Sequence, residues 1–189
     1  NTWYGGQAAG EAIADVLFGD YNPAGRLPIT FYKKVEDLPD FEDYNMNNRT
    51  YRYFTGDVVY PFGYGLSYTT FQYDQMEIQA LPEGKGLKVS ARVTNSGEQD
   101  GDEVVQLYLS HTNKTKHVPL KSLKGFKRIH LASKESQKVE FLLTPKDLSI
   151  VTETGELSYS AGNIDIAIGG SQPDSKAPER TLTKSFFIQ

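Results

Sequence analysis

Leu87-Lys88-Val89-Ser90-Ala91-Arg92-Val93-Thr94-Asn95-Ser96-Gly97 alternates apolar with polar residues and then stops on a turn. A period of two gives a strand one buried and one wet face. The rhythm returns at Val105, Leu107 and Leu109, at Val139, Phe141 and Leu143 before Pro145 breaks it, and at Ile164, Ile166 and Ile168 before Gly169-Gly170. Residues 120–131 hold a further strand or two around Gly125, and residues 181–188 a closing strand. About seven strands with turns between them predict a two-sheet β-sandwich of immunoglobulin or fibronectin type III style over residues 74–189.

Upstream the period changes. Ala8, Ala9, Ala12, Ile13, Val16 and Leu17 recur at helical spacing and predict a helix over residues 7–18. Gly19 suits a left-handed helix end, residues 20–25 read as a turn, and residues 26–31 read as a short strand with Pro28 near its edge. A helix and a strand cannot bury both their faces alone. Residues 1–35 are therefore read as the terminal helix and strand of an α/β domain whose remainder lies upstream. The opening, Asn1-Thr2-Trp3-Tyr4-Gly5-Gly6, has neither an initiator Met nor a charged-then-apolar leader, and the chain is expected to be a piece of a longer one.

Residues 32–73 lack a clear period, and 36–73 are taken as the linker. They carry Asp37, Asp40, Glu42 and Asp43, then a run of rings from Tyr44 to Tyr73, and read as an aromatic-rich interdomain linker. The fold class expected is thus mainly β, with a helix, a strand and a linker ahead of the sandwich. The net charge of −4 argues against a nucleic-acid partner, and no apolar run is long enough for a membrane span. There is no Cys, which removes disulfides and thiolate chemistry. The 12 Tyr and 10 Phe suit β-rich and sugar-handling proteins.

Four stretches together resemble the family 3 glycoside hydrolases. Residues 3–28, from Trp3-Tyr4-Gly5-Gly6-Gln7-Ala8-Ala9-Gly10-Glu11 through Asn22-Pro23-Ala24-Gly25-Arg26-Leu27-Pro28, are similar to the end of that family's α/β sandwich domain. Tyr60-Pro61-Phe62-Gly63-Tyr64-Gly65-Leu66-Ser67-Tyr68 is similar to the entry into its fibronectin type III-like domain. Gly101-Asp102-Glu103-Val104-Val105-Gln106-Leu107-Tyr108, preceded by Val93-Thr94-Asn95-Ser96-Gly97, and Pro119-Leu120-Lys121-Ser122-Leu123-Lys124-Gly125-Phe126 resemble that domain's strands. Four motifs in order are far more specific than one.

The resemblance implies a parent β-glucosidase or β-xylosidase with a barrel and an α/β sandwich upstream, acting by retention through a covalent glycosyl-enzyme. It places the aspartate nucleophile and the acid/base carboxyl before Asn1, so no catalytic residue is expected here. It also implies a carbohydrate substrate met through the parent, whose upstream domains are this chain's partners, and a periplasmic or secreted location. The rival class is an independent carbohydrate-binding or adhesion module.

Other chemistry has bland competitors. The acidic stretch could be read as a carboxyl pair, but acids in a polar loop are usually solvated. Gly5, Gly6 and Gly10 lack G-x-G-x-x-G spacing and read as close-packing positions. His111, His117 and His130 lack metal-ligand spacing, and no motif requires a cofactor or metal. Trp3, Tyr4, Arg49 and Tyr51 are candidates for the edge of a sugar pocket, with an interdomain clamp the favoured role for Arg49, Tyr51, Arg52 and Tyr53. Lys114, Lys116, Lys121, Lys124, Lys127 and Arg128 read as edge-protecting lysines and arginine rather than a polyanion site. Asn48-Arg49-Thr50 and Asn113-Lys114-Thr115 match glycosylation acceptors.

Overall fold

The structure is a computed structural model that describes residues 2–112, 118–152, 154–159, 161–173 and 181–188. It opens with helix α1 (Ala9–Phe18), which ends at Gly19 in the left-handed conformation (φ 89°). The Gly19 N–H closes the last turn on Asp15 O at 3.1 Å. The helix starts two residues later than its spacing suggests, because Gln7 and Ala8 form a turn and Ala8 has no side chain to cap the free N–H groups. No residue of α1 is buried.

Next come β1 (Phe31–Tyr32), α2 (Thr50–Tyr53) and β2 (Val58–Tyr60), with β1 pairing antiparallel to β2. The strand expected over residues 26–31 is corrected: only Phe31 of that stretch lies in a strand. Leu27 makes a lone backbone pair, its N–H to Tyr64 O at 2.9 Å and its O from Gly63 N–H at 2.8 Å. Pro28 has no N–H to continue the ladder. The segment over residues 32–73 is also less irregular than its composition suggests, since it contributes α2, β2 and the start of the next strand.

The sandwich uses β3 (Phe71–Ala80), β4 (Leu87–Asn95), β5 (Gly101–His111), β6 (Ser122–Leu131) and β7 (Ser136–Leu143). After β7 come the one-turn helix α3 (Pro145–Leu148) and a small hairpin, β8 (Ile150–Val151) with β9 (Leu157–Ser158). Strands β10 (Gly162–Gly169) and β11 (Thr181–Ile188) complete the fold. One sheet has the order β11-β10-β5-β6 and the other β3-β4-β7, all antiparallel. This is the mainly β, fibronectin type III-like arrangement that the alternation predicts. The stretch around Gly125 is one strand, β6, whose register against β5 shifts between Leu107 and Tyr108. Pro145 does more than end β7: it starts α3, which Thr144 and Asp147 cap reciprocally.

The core is made by the alternating residues. Val89, Ala91 and Val93 from one sheet meet Val105, Leu107, Ile164, Ile166 and Ile168 from the other. Val139, Phe141 and Leu143 complete the inner layer. Strand β5 departs from one-sided burial, since Gln106 and Tyr108 are buried along with Val105, Leu107 and Leu109. Its second face has a cover of its own, built from the residues before the sandwich.

Candidate functional site

That cover is held by a polar hub and an aromatic stack. Glu103 lies on β5, on the same face as Val105 but at the strand's end, and its side chain is 3% exposed. Arg26 reaches it from the tail, Nη2 to Oε2 at 2.7 Å, with the guanidinium side chain only 11% exposed. The other carboxylate oxygen accepts the Tyr73 hydroxyl at 2.8 Å. Burial first, then the neighbouring Glu103 charge, holds the Tyr73 phenol well above its usual pKa, so it stays protonated and keeps donating.

The same hub extends outward. Arg26 Nε donates to Gly170 O at 3.0 Å, and Gln106 Nε2 donates to that oxygen at 2.9 Å and to Gly63 O at 3.1 Å. The Tyr108 hydroxyl donates to Gln106 Oε1 at 2.6 Å. Burial pushes that phenol far above the ordinary range as well. Gly63 sits at φ 77°, where an added Cβ would lie 2.2 Å from Gln106 Oε1. Both the backbone conformation and the space therefore require glycine.

Beside the hub, Tyr51 stacks on Phe62 at 4.1 Å between ring centroids and meets Tyr108 edge-on at 6.2 Å. Its hydroxyl accepts the Leu123 N–H at 3.1 Å, and Arg52 O accepts the Leu120 N–H at 2.7 Å. At the other end, Asn22 donates to Asp100 O and accepts from Ser67 Oγ and the Tyr68 N–H. The Tyr68 hydroxyl ties α1 in place through Val16 O at 2.6 Å. Residues 21–68 are thus bound to the sandwich by the outer-face Gln106 and Tyr108 of β5, by the buried ion pair at Glu103 near that strand's start, and by contacts to Asp100, Leu120 and Leu123. The chemistry of this assembly is adhesion between parts of the chain; its carboxylate is neutralised by Arg26.

The four pocket-edge candidates are placed differently from one another. Tyr51 belongs to the clamp. Arg49 organises the acidic loop, donating to Asn45 O and Asp40 O at 3.1 Å each and to Asp43 O. Trp3 is half exposed and Tyr4 fully so, at the start of the chain. In the acidic stretch the Asp43 carboxylate accepts the backbone and side-chain N–H groups of Asn45, which hold its pKa below the usual value. Among the histidines, His130 meets Asp102 at 2.7 Å, His111 is half-buried at the end of β5, and His117 lies outside the described residues, as do Lys114, Lys116 and the Asn113 acceptor. Asp102 is held below its usual pKa because hydrogen bonds from His130 and Arg128 outweigh the upward push of burial.

Sequence reasoning missed Arg26, Glu103, Gln106 and Asn22 as a set. Glu103 and Gln106 do stand out as polar residues beside the apolar Val105-Leu107-Leu109 run. Their partners Arg26 and Gly63, however, lie 77 and 43 positions away in the chain.

Residues 1–68 match the glycosyl hydrolase family 3 C-terminal domain, and residues 103–172 match the fibronectin type III-like domain. A xylan 1,4-beta-xylosidase of Xylanibacter ruminicola is 43% identical over 182 residues, which are 96% of this chain and 21% of that protein. A periplasmic beta-glucosidase of Salmonella typhimurium is 37% identical over 89% of this chain and 24% of its own length. Among solved structures, the beta-glucosidase of Kluyveromyces marxianus in complex with glucose superposes with a TM-score of 0.85 at 35% identity, covering 99% of this chain and 24% of that one. The chain spans about a fifth to a quarter of the length of these curated relatives.

Proposed function

Because the chain belongs to the family 3 glycoside hydrolases and corresponds to their C-terminal region with its fibronectin type III-like domain, we propose that it is the accessory, structural end of an exo-acting retaining β-glycosidase. The parent removes terminal β-linked sugars from oligosaccharides or glycosides, and the nucleophile and acid/base carboxyls come from its barrel and α/β sandwich domains. The clamp is the observation that carries this reading. A segment matching the family's C-terminal domain is fastened to the sandwich through a buried ion pair, buried hydrogen bonds and a ring stack.

Two further features support it. The exposed Ile13, Leu17 and Phe18 of α1, with Trp3 and Tyr4, suit a helix that packs against upstream α/β partners. On the sandwich, the exposed rings Phe126 and Phe187 stand on β6 and β11, opposite edges of one sheet, rather than forming the flat aromatic row of an independent polysaccharide binder. Residues 1–35, 36–73 and 74–189 act, in this reading, as domain end, linker and accessory sandwich. Trp3, Tyr4, Arg49 and Tyr51 remain proposed pocket-edge positions in the assembled parent. A periplasmic or secreted parent fits the Salmonella relative's name. No helix among the described residues is long and apolar enough to cross a membrane.

The test is hydrolysis of nitrophenyl β-glucoside, β-xyloside and related glycosides by the 189-residue chain and by its full-length parent. The parent is expected to cleave and the chain alone is not. Cleavage by the chain, with contaminating enzyme excluded, places chemistry within it; a parent inert on every glycoside removes the glycosidase reading.

A further inference from the structure

Beside the clamp, a cleft of about 810 Å³ opens between the β2 segment and strands β5, β10 and β11. Such a volume is ample for a small organic ligand. Among the described residues, the buried side-chain polar atoms that lack a hydrogen-bond partner are Thr30 Oγ1 and Gln172 Oε1. Both residues line this cleft, and Gln172 is 8% exposed. A buried polar atom left unpaired forfeits the bond it would make to water, and a rotation of either side chain would turn that atom toward a hydroxyl in the cleft.

The charges at the cleft balance, Asp57 and Asp165 against Lys33 and Lys121, and each has a hydrogen-bond or ion-pair partner. Asp57 meets Lys33 at 3.0 Å, Asp165 accepts the Ser185 hydroxyl at 2.6 Å, and Lys121 donates to Pro173 O at 3.1 Å. Such a surface offers no excess charge with which to hold an ion. It does offer the Ser110 and Thr183 hydroxyls and the rings of Tyr51 and Phe54. Hydroxyls and amide oxygens read a hydroxyl-rich ligand by its donors, and ring or aliphatic surface accepts its C–H faces.

We propose that this cleft, formed between the segment before the sandwich and the sandwich itself, is an accessory binding site for one or two units of a neutral saccharide. The choice of saccharide among neutral polyols rests on the glycosidase reading above. The cleft then gives the accessory region a second task, holding part of a saccharide chain.

Amide and side-chain spectra of the ¹⁵N-labelled 189-residue chain, titrated separately with xylobiose and cellobiose, test the site. Saturable shifts centred on Ser110, Gln172 and Thr183 are expected with at least one of the two sugars. Thr183→Trp, which fills the cleft, and Gln172→Leu, which removes the orphan acceptor, are each expected to weaken that binding about tenfold or more. Spectra that otherwise superpose show the variants folded. Absence of saturable shifts with both sugars, shifts centred elsewhere, or unchanged affinity in a folded Thr183→Trp variant overturns the proposal. Parent hydrolysis is read independently: an inert parent removes the proposed function, whereas missing shifts remove only this cleft.

Discussion

Arg26 and Glu103 are a buried pair whose value depends on both members being present. Removing one leaves the other charged and out of water, whereas replacing both by apolar groups removes the penalty together with the attraction. Arg26→Met is therefore expected to cost about 3–5 kcal/mol in urea unfolding. Arg26→Met combined with Glu103→Leu should cost clearly less than the sum of the single changes. Additive effects in that double-mutant cycle would show that the pair does not couple tail to sandwich. His111 gives a residue-scale dependence on pH. Burial, then the nearby Lys124 charge, lowers its pKa below the usual 6.5. The unfolded chain thus binds a proton that the folded chain resists, so stability rises with pH through this window. The contribution is complete above pH ~6.5 and falls away as the pH drops toward the depressed folded value. Urea midpoints measured from neutral to mildly acid pH should fall for the native chain and fall less for His111→Asn.

At the scale of elements, Gly63 is a point of close approach between the entry segment and β5. Gly63→Ala adds a Cβ that meets both Gln106 Oε1 and, at 2.8 Å, the Tyr108 hydroxyl, two groups already bonded to each other. Overpacking and a positive φ together predict a loss of about 1–3 kcal/mol. Faster amide exchange should be confined to the clamp and absent from β4; equal exchange in native and variant would mean the contact is slack. The legibility of the elements follows from the same physics. Strands β4, β7 and β10 read as alternating because one face of each meets the core, although Ser90 of β4 and Ala167 of β10 are buried on the other face. In β3 the register shifts between Asp74 and Glu77, so Phe71 and Tyr73 share parity while Met76 and Ile78 take the other. That bulge hides the strand's opening from any period-two reading. Helix α1 is legible from its stripe, although the stripe lies exposed. The polar hub is not legible, because Glu103 and Gln106 acquire their meaning from Arg26, Gly63 and Gly170, which folding alone brings near.

For the molecule as a whole, the shared strand β5 joins two bodies of contact, the sandwich core on one side and the clamp on the other. A chain trimmed to residues 69–189 keeps every core strand but bares Gln106 and Tyr108. It is expected to fold with the same strand pairing and a lower Tm than the 189-residue chain, as read by thermal unfolding. A Tm equal to that of the full chain would mean the tail contributes nothing to the sandwich. The clamp also has a history during synthesis. Arg26 has its distant partners at Glu103 and Gly170, the second 144 positions later in the chain. At about 5–20 residues per second, the aromatic-rich segment leaves the ribosome several seconds before the strands that receive it. For that interval its rings have one another but not the Tyr108 face of β5. A newborn chain of this design therefore depends on whatever shields exposed apolar groups in the cell, and a pause in translation between Tyr68 and Gly170 lengthens its exposure to aggregation and proteolysis.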